Sequence, residues 1–352
     1  MVKRKITSSL AAMTVSLCLV LLLVFEKTAT NEAYSALALA AERVIPTLFT
    51  FMVISEIIVS MDLLRPLYSL IPTEKLFRLP RCSASVILCG LLCGFPIGAA
   101  GAAKLYENKK ITRREAEVLC AVSSHASPAF LVGVVGSVWG SRDLGVVLYF
   151  SEVLFCLISG NVISRVTLQG TNVSPSPGSE NALPRFSSSL CKAVHSSSLT
   201  CLTVTGNIVF FRVLGAVMSA VVPPLTSVFS VVFEFSGGTV YGARVGGVSG
   251  GFLTGFAVGF SGLAVLMQCC NFTSHHGIKQ NCYVLTKAIE GVVLGLTTAL
   301  YVKKHRLVPT EGAFTLFTDP SIEKSILLLF ILAIFFLLTS ALSKIKNFTH
   351  GS

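Results

Sequence analysis

Apolar blocks of about 20 residues alternate with short polar, mostly basic turns along this chain, the length a helix needs to cross a hydrocarbon core of about 30 Å. The blocks fall at 10–25, 44–61, 119–140, 144–164, 202–222, 252–270, 282–302 and 326–342. Two further apolar segments do not read as continuous helices. One includes CGLLCGFPIGAAGAAK (Cys89–Lys104), interrupted by Gly94, Pro96, Gly98 and Gly101. The other, 226–251, breaks at Glu234-Phe235-Ser236-Gly237-Gly238. Each is followed by a span that is itself interrupted, by SSHASP (Ser123–Pro128) and by GFSG (Gly259–Gly262). Irregular backbone is tolerated at membrane depth only where protein or a watered cavity satisfies it.

The breaks fall into an order that repeats. Short Ala- or Ser-rich stretches at 31–43 and 190–198 read as interfacial helices, each followed by a span, a broken hairpin, a broken span and a span. Paired interruptions in two halves are a sequence pointer to a transporter-type site. The expected fold is an all-α polytopic membrane protein. It has seven to eight transmembrane helices and two re-entrant or broken hairpins, arranged as two repeats of inverted topology. Its parts are an N-terminal helix (1–30), a first repeat (31–165), a Ser/Pro-rich linker (166–189), a second repeat (190–303), and a loop with a C-terminal helix (304–352).

Composition agrees. Of 352 residues, 53% are hydrophobic and 13% charged, about half the charged fraction of soluble domains. The net charge of +11 would suggest nucleic acid in a soluble chain. Here Lys and Arg sit in inter-helix turns and read as topology signals, so no nucleic-acid partner is expected. Basic turns on both flanks of 83–103 argue that this segment enters and returns on the cytoplasmic side, a Gly-rich continuous helix being the alternative. The N-terminus, led by Lys3, Arg4 and Lys5, is expected in the cytoplasm. Lys303–Arg306 then falls outside, against that preference, so either 226–251 crosses instead of re-entering or this loop is an exception. Eleven cysteines lie scattered, without a CxxC pair or Cys/His cluster, and read as small apolar packers rather than metal ligands or a disulfide framework.

Ionisable groups within spans are costly and mark pathways or partners. They are Glu56, Glu152, Arg212, Glu234, Lys287 and Glu290. Glu56 and Arg212 fall at neighbouring positions of the two repeats, and the expected arrangement is an ion pair between them. Lys287 and Glu290, three apart, should pair locally. Glu234 sits beside a break with no evident local partner. It either faces a cavity or serves the fold.

The segments IPTLFTFMVISEI, CGFPIGAAGAAKLYENKKITRREAE, SSHASPAFLVG, FEFSGG and GFSGLAVLMQ, in this order, resemble the YlbJ-type sporulation integral membrane proteins. These belong to the nucleoside-recognition Gate group, related to Gate segments of concentrative nucleoside transporters and of the FeoB ferrous-iron transporter. The likeness covers roughly 35–305, with Gly94–Ala99, Tyr106-Glu107 and Arg113–Ala116 its most specific pieces. It implies a transporter-like protein for a small solute, nucleoside-like or an ion, acting in a sporulating cell's membrane alongside other sporulation membrane proteins. Candidate solute ligands are Gly94, Pro96, Gly98, Ser123, Ser124, His125, Ser127, Glu234, Ser236, Ser261 and Gln268. His125 could carry a proton or cap a helix, and the serines could bond back to their own helices. Polar groups at the breaks are fewer than the family pattern carries, which favours the other reading, a structural or signalling protein that kept the fold without transport. GFSG also matches a motif of intramembrane serine proteases, but no later span supplies a histidine base. No enzyme activity, cofactor or metal is expected.

Overall fold

The computed structural model describes residues 2–65, 68, 71–169 and 185–310, and among them every regular element is helical. The expected C-terminal helix and most of the linker lie outside these residues. Helix α1 (Val2–Val24) meets α2 (Glu26–Leu39) at a bend of 92°. A five-residue π-turn, Ala40–Val44, carries α2 into α3 (Ile45–Ser60) without a break. Among the described residues five helices are long and apolar enough to cross a membrane, or six if the bent pair counts as one span. At 16 residues α3 reaches about 24 Å, and the helix expected at 44–61 is the last part of the longer, continuous α2–α3 rod.

A short helix, α4 (Thr73–Phe77), precedes the first hairpin, formed by α5 (Ser83–Cys93) and α6 (Ile97–Glu107). Helix α5 stops at Gly94, whose φ of 82° suits a residue without a Cβ, and a cis Phe95–Pro96 bond leads into α6. The two helices lie side by side, for a methyl group on Gly101 would stand 2.8 Å from a Val86 methyl carbon. The basic turn after α6 ends in a capping box. Thr112 accepts from the Glu115 amide at 3.3 Å, and Glu115 accepts from the Thr112 amide at 2.7 Å. It starts α7 (Arg113–Ser123), which breaks at Ser124–Ser127. The helix resumes as α8 (Pro128–Phe130), a π-turn (Leu131–Val135) and α9 (Gly136–Val138), with Ser127 capping the restart. Helix α10 (Arg142–Thr167) closes this half.

The second half opens on α11 (Phe186–Val221), one unbroken helix of 36 residues. The interfacial helix at 190–198 and the span at 202–222 were expected to be separate, and they are not. The Ser and Thr residues that look polar in sequence donate to their own helix. Ser198 bonds Val194, Thr200 bonds Ser196, and Thr203 bonds Leu199, at 2.8–3.0 Å. With neither Gly nor Pro at 199–203, nothing interrupts the ladder. Next come α12 (Thr226–Phe233) and α13 (Phe235–Val245), parted at Glu234. Then α14 (Gly247–Phe260) and α15 (Gly262–Thr273) are parted at Ser261, and α16 (Asn281–His305) completes the order. Helix α14 begins at Gly247, so the second hairpin ends at Val245 rather than at 251.

Glycines set the tightest packing. Methyl groups on Gly255 and Gly259 would stand 2.2 and 2.6 Å from the Leu294 and Glu290 carbonyl oxygens, so α14 lies backbone to backbone on α16. The two hairpins meet opposite ends of α16. Tyr106, at the base of the first, lies 6.0 Å from His276, just before α16 starts. Gly246, at the base of the second, lies against Pro309, just past its end. Polar contacts join the halves. The Trp139 indole donates to Thr254 at 3.1 Å, and the Lys279 amide donates to Glu117 at 3.2 Å.

Two charges pair differently from the expected Glu56–Arg212 bridge. Arg212 reaches Glu32 on α2 at 2.5 Å, while Glu56 pairs with Lys104 on α6 at 3.4 Å. The reason is the unbroken α2–α3 rod. Helix α11 packs along its whole length, so Arg212 meets a carboxylate on α2, leaving Glu56 to the first hairpin.

Candidate functional site

The four interruptions converge. A methyl group on Gly94 would stand 2.7 Å from the Ser127 amide nitrogen, so the first hairpin's break touches the break after α7. A methyl group on Gly262 would stand 3.1 Å from the Phe235 amide nitrogen, so the second hairpin's break touches the break after α14. Aromatic rings join the two pairs. Phe235 lies 5.7 Å from Phe95, edge-on, and 4.7 Å from Phe130.

These rings border a cavity of about 540 Å³. Its wall takes Leu48 and Phe51 from α3, Val204, Ile208 and Arg212 from α11, Arg244 from α13 and Gln268 from α15. Of the sequence candidates, Gly94, Ser127, Glu234, Ser236 and Gln268 line it. Pro96, Gly98, Ser123, Ser124, His125 and Ser261 lie behind the wall. Gly98 and Gly90 clamp the end of α7, where methyl groups on them would stand 2.1 and 1.8 Å from the Ser123 carbonyl oxygen. Ser261 is fully buried at a left-handed position, φ 69°, its hydroxyl directed at the Gly259 carbonyl.

Glu234 has the local partners its sequence context did not reveal. Extended at φ −147°, it caps α13, accepting from the Ser236 amide at 3.0 Å, the Gly237 amide at 2.7 Å and the Ser236 hydroxyl at 2.6 Å. A carboxylate at a helix N-terminus satisfies orphan amides and complements the helix dipole.

Behind Phe95 lies a second polar group. His125, Glu152, Lys287 and Glu290 are each at most 1% exposed. Lys287 and Glu290 pair as expected, at 2.7 Å, and Lys287 Nζ also lies 5.2 Å from the centre of the Phe95 ring. His125 Nδ1 lies 3.0 Å from the other Glu290 oxygen, and Nε2 lies 2.9 Å from the Val122 carbonyl. One Glu152 oxygen accepts from the Ala126 amide at 3.4 Å, and Oε2 has no partner among the described residues. One donor atom each from His125, Glu152 and Glu290 lies within 4.8 Å of the others. The Lys287 ammonium holds one Glu290 oxygen and repels a divalent ion, so the set fits a metal poorly. Spacing gives the Lys287–Glu290 pair. The meeting of α7, α10 and α16 has no signal in one sequence beyond the rarity of charge in spans.

No family model matches the chain, and no solved structure matches it. Over 313 residues it is 26% identical to the sporulation integral membrane protein YlbJ of Bacillus subtilis (strain 168), covering 75% of this chain and 76% of that relative. The long apolar helices and this integral-membrane relative support a multi-pass membrane protein. The match points the same way as the motifs at Gly94–Ala99 and Arg113–Ala116: this chain is similar to the YlbJ-type sporulation integral membrane proteins.

Proposed function

We propose that the protein moves a small solute across the membrane of a sporulating cell, using two Gate-type repeats of opposite topology. The observation that carries this is the meeting of four helix breaks, three of which line one cavity of about 540 Å³, a size suited to a small molecule. The order long helix, hairpin, broken helix, helix in residues 26–167 recurs in 186–305. The bases of the hairpins, at opposite ends of α16, support the inversion. The wall favours a solute with an apolar, planar body against Phe95, Phe130 and Phe235 and a polar edge toward Ser127, Ser236 and Gln268.

A second reading, a structural or signalling membrane protein without transport, is favoured by one observation. Glu234 and Arg212, the acidic and one of the basic groups at the wall, are already satisfied within the fold. Cysteine labelling separates the two. In a Cys-less background, Ser127→Cys and Gln268→Cys should react with a membrane-impermeant thiol reagent. In proteoliposomes, one of a panel of nucleosides, small organic anions and divalent metals should slow that reaction and accumulate inside. Two unreactive positions, from either face of the membrane, would mean a sealed cavity and leave the structural role.

A further inference from the structure

The hydrogen bonds of the buried group behind Phe95 constrain how many protons it holds. A backbone carbonyl only accepts, so His125 Nε2, 2.9 Å from the Val122 oxygen, carries a hydrogen. In a neutral imidazole the other nitrogen would then be a bare acceptor. Nδ1, however, lies 3.0 Å from a Glu290 oxygen, and Glu290 is an ion-paired carboxylate held by Lys287 at 2.7 Å. Two acceptors at that distance repel unless a hydrogen lies between them. The geometry therefore contains one proton more than a neutral histidine and a carboxylate supply.

Charge counting gives the same number. With Glu152 ionised, Lys287 contributes +1, Glu290 −1 and Glu152 −1, so with neutral His125 the group carries −1, fully buried. One bound proton makes it neutral, and an uncompensated buried charge is the costly alternative. Glu152 Oε2 is buried and, among the described residues, without a hydrogen-bond partner, so an ionised Glu152 needs that proton nearby to balance it. His125 faces Glu290 from α16 and Glu152 from α10; around those carboxyls stand Lys287 and Cys156, with Tyr283 and Cys120 near Lys287. The site touches the cavity wall at two points. His125 stands two residues before Ser127 in the same break, and Lys287 lies over the ring of Phe95.

We propose that His125, Glu290 and Glu152 form a proton-binding site that couples proton binding to opening of the cavity. This rests on the transport reading above. With the proton in place, the break at Ser124–Ser127 is tied to α16 through the His125–Glu290 bond. Its loss to water leaves a buried −1 charge and two facing acceptors, and the break separates from α16 to relieve both. The proton goes from Nδ1 to water and returns the same way; no other bond is made or broken.

Two measurements on the full chain in lipid nanodiscs test this without knowledge of the solute. The first is 15N NMR of labelled histidine, with His125 assigned by its absence in His125→Gln. Both ring nitrogens should bear hydrogen at pH 7, and Glu152→Gln, nearly isosteric, should lower the proton affinity of His125 at least tenfold. A bare Nδ1 at pH 7, a titration indifferent to Glu152→Gln, or a stoichiometric metal in the purified protein overturns the site. The second is the labelling rate of Ser127→Cys at pH 6 and pH 8, normalised to a cysteine at Asn108, exposed in the polar turn after α6. The normalised rate should rise at least fivefold at pH 8, and Glu152→Gln should change that ratio. A constant ratio overturns the coupling. If Ser127→Cys is unreactive at every pH, the transport reading fails while the NMR result still decides the proton site.

Discussion

Replacing Glu234 by alanine tests whether this carboxylate serves its own helix or a solute. The native side chain, 3% exposed, accepts two backbone amides and one hydroxyl. Losing an N-cap costs about 0.5–2 kcal/mol, and each buried donor left without an acceptor costs about 1–3 kcal/mol. These terms overlap, and Ser236 and Gly237 are only half-buried, so part of the loss is made up by water from the cavity. The expected net cost of Glu234→Ala is about 2 kcal/mol, roughly thirtyfold in the folding equilibrium. Glu234→Gln keeps one acceptor oxygen in place and should cost about half as much. Reversible unfolding of the full chain in mixed micelles, followed by the fluorescence of Trp139, reads both. If Glu234→Ala stays within about 0.5 kcal/mol of the parent, the capping argument is wrong. A glutamine variant as costly as alanine would mean that charge, rather than hydrogen bonding, holds the break.

Three further outcomes follow from packing and charge. Gly98→Ala drives a methyl into the Ser123 carbonyl, which as backbone cannot rotate away, and should cost at least about 1–3 kcal/mol in the same unfolding assay. Lys287→Met strands Glu290 and should cost about 3–5 kcal/mol, with the double variant Lys287→Met/Glu290→Gln regaining at least half. No recovery would mean that the pair is not an energetic unit. Thr112→Ala removes half of a capping box at the start of α7 and should cost about 1 kcal/mol, seen as faster amide exchange at 113–116.

The positions of the four breaks were legible because Gly, Pro and clustered Ser punctuate helices in any solvent, and in lipid such punctuation stands out against an apolar background. Hence Gly94, Ser124–Ser127, Glu234 and Ser261 interrupt where the pattern indicates. Continuity was harder to read. Ser198, Thr200 and Thr203 look like a polar interface in one dimension, yet each hydroxyl disappears into its own helix, and two expected elements merge into α11. Long-range pairing was least legible. Glu56 and Arg212 are neighbours by register alone, whereas their actual partners depend on how far α11 runs beside α2. His125 comes from a helix break and Glu152 and Glu290 from two separate helices, and a single sequence carries no trace of their meeting. Local bonds were also hidden where the backbone does the donating, as at Glu234, whose two amides belong to residues chosen by any helix start.

The bond between His125 and Glu290 spans 165 residues of chain, and it has a consequence for how the protein is made. At about 5–20 residues per second, the ribosome needs roughly 8–33 seconds after placing His125 to reach its partner. Through that interval the first half sits in the bilayer with His125 and Glu152 lacking Lys287 and Glu290. The nascent chain therefore carries unmet polar groups at membrane depth, the kind of flaw that membrane proteases and insertases recognise. Maturation ends only when α16 slides in beside α7 and α10. A chain truncated before residue 287 retains most of its helices, and it is the form that cellular quality control should remove.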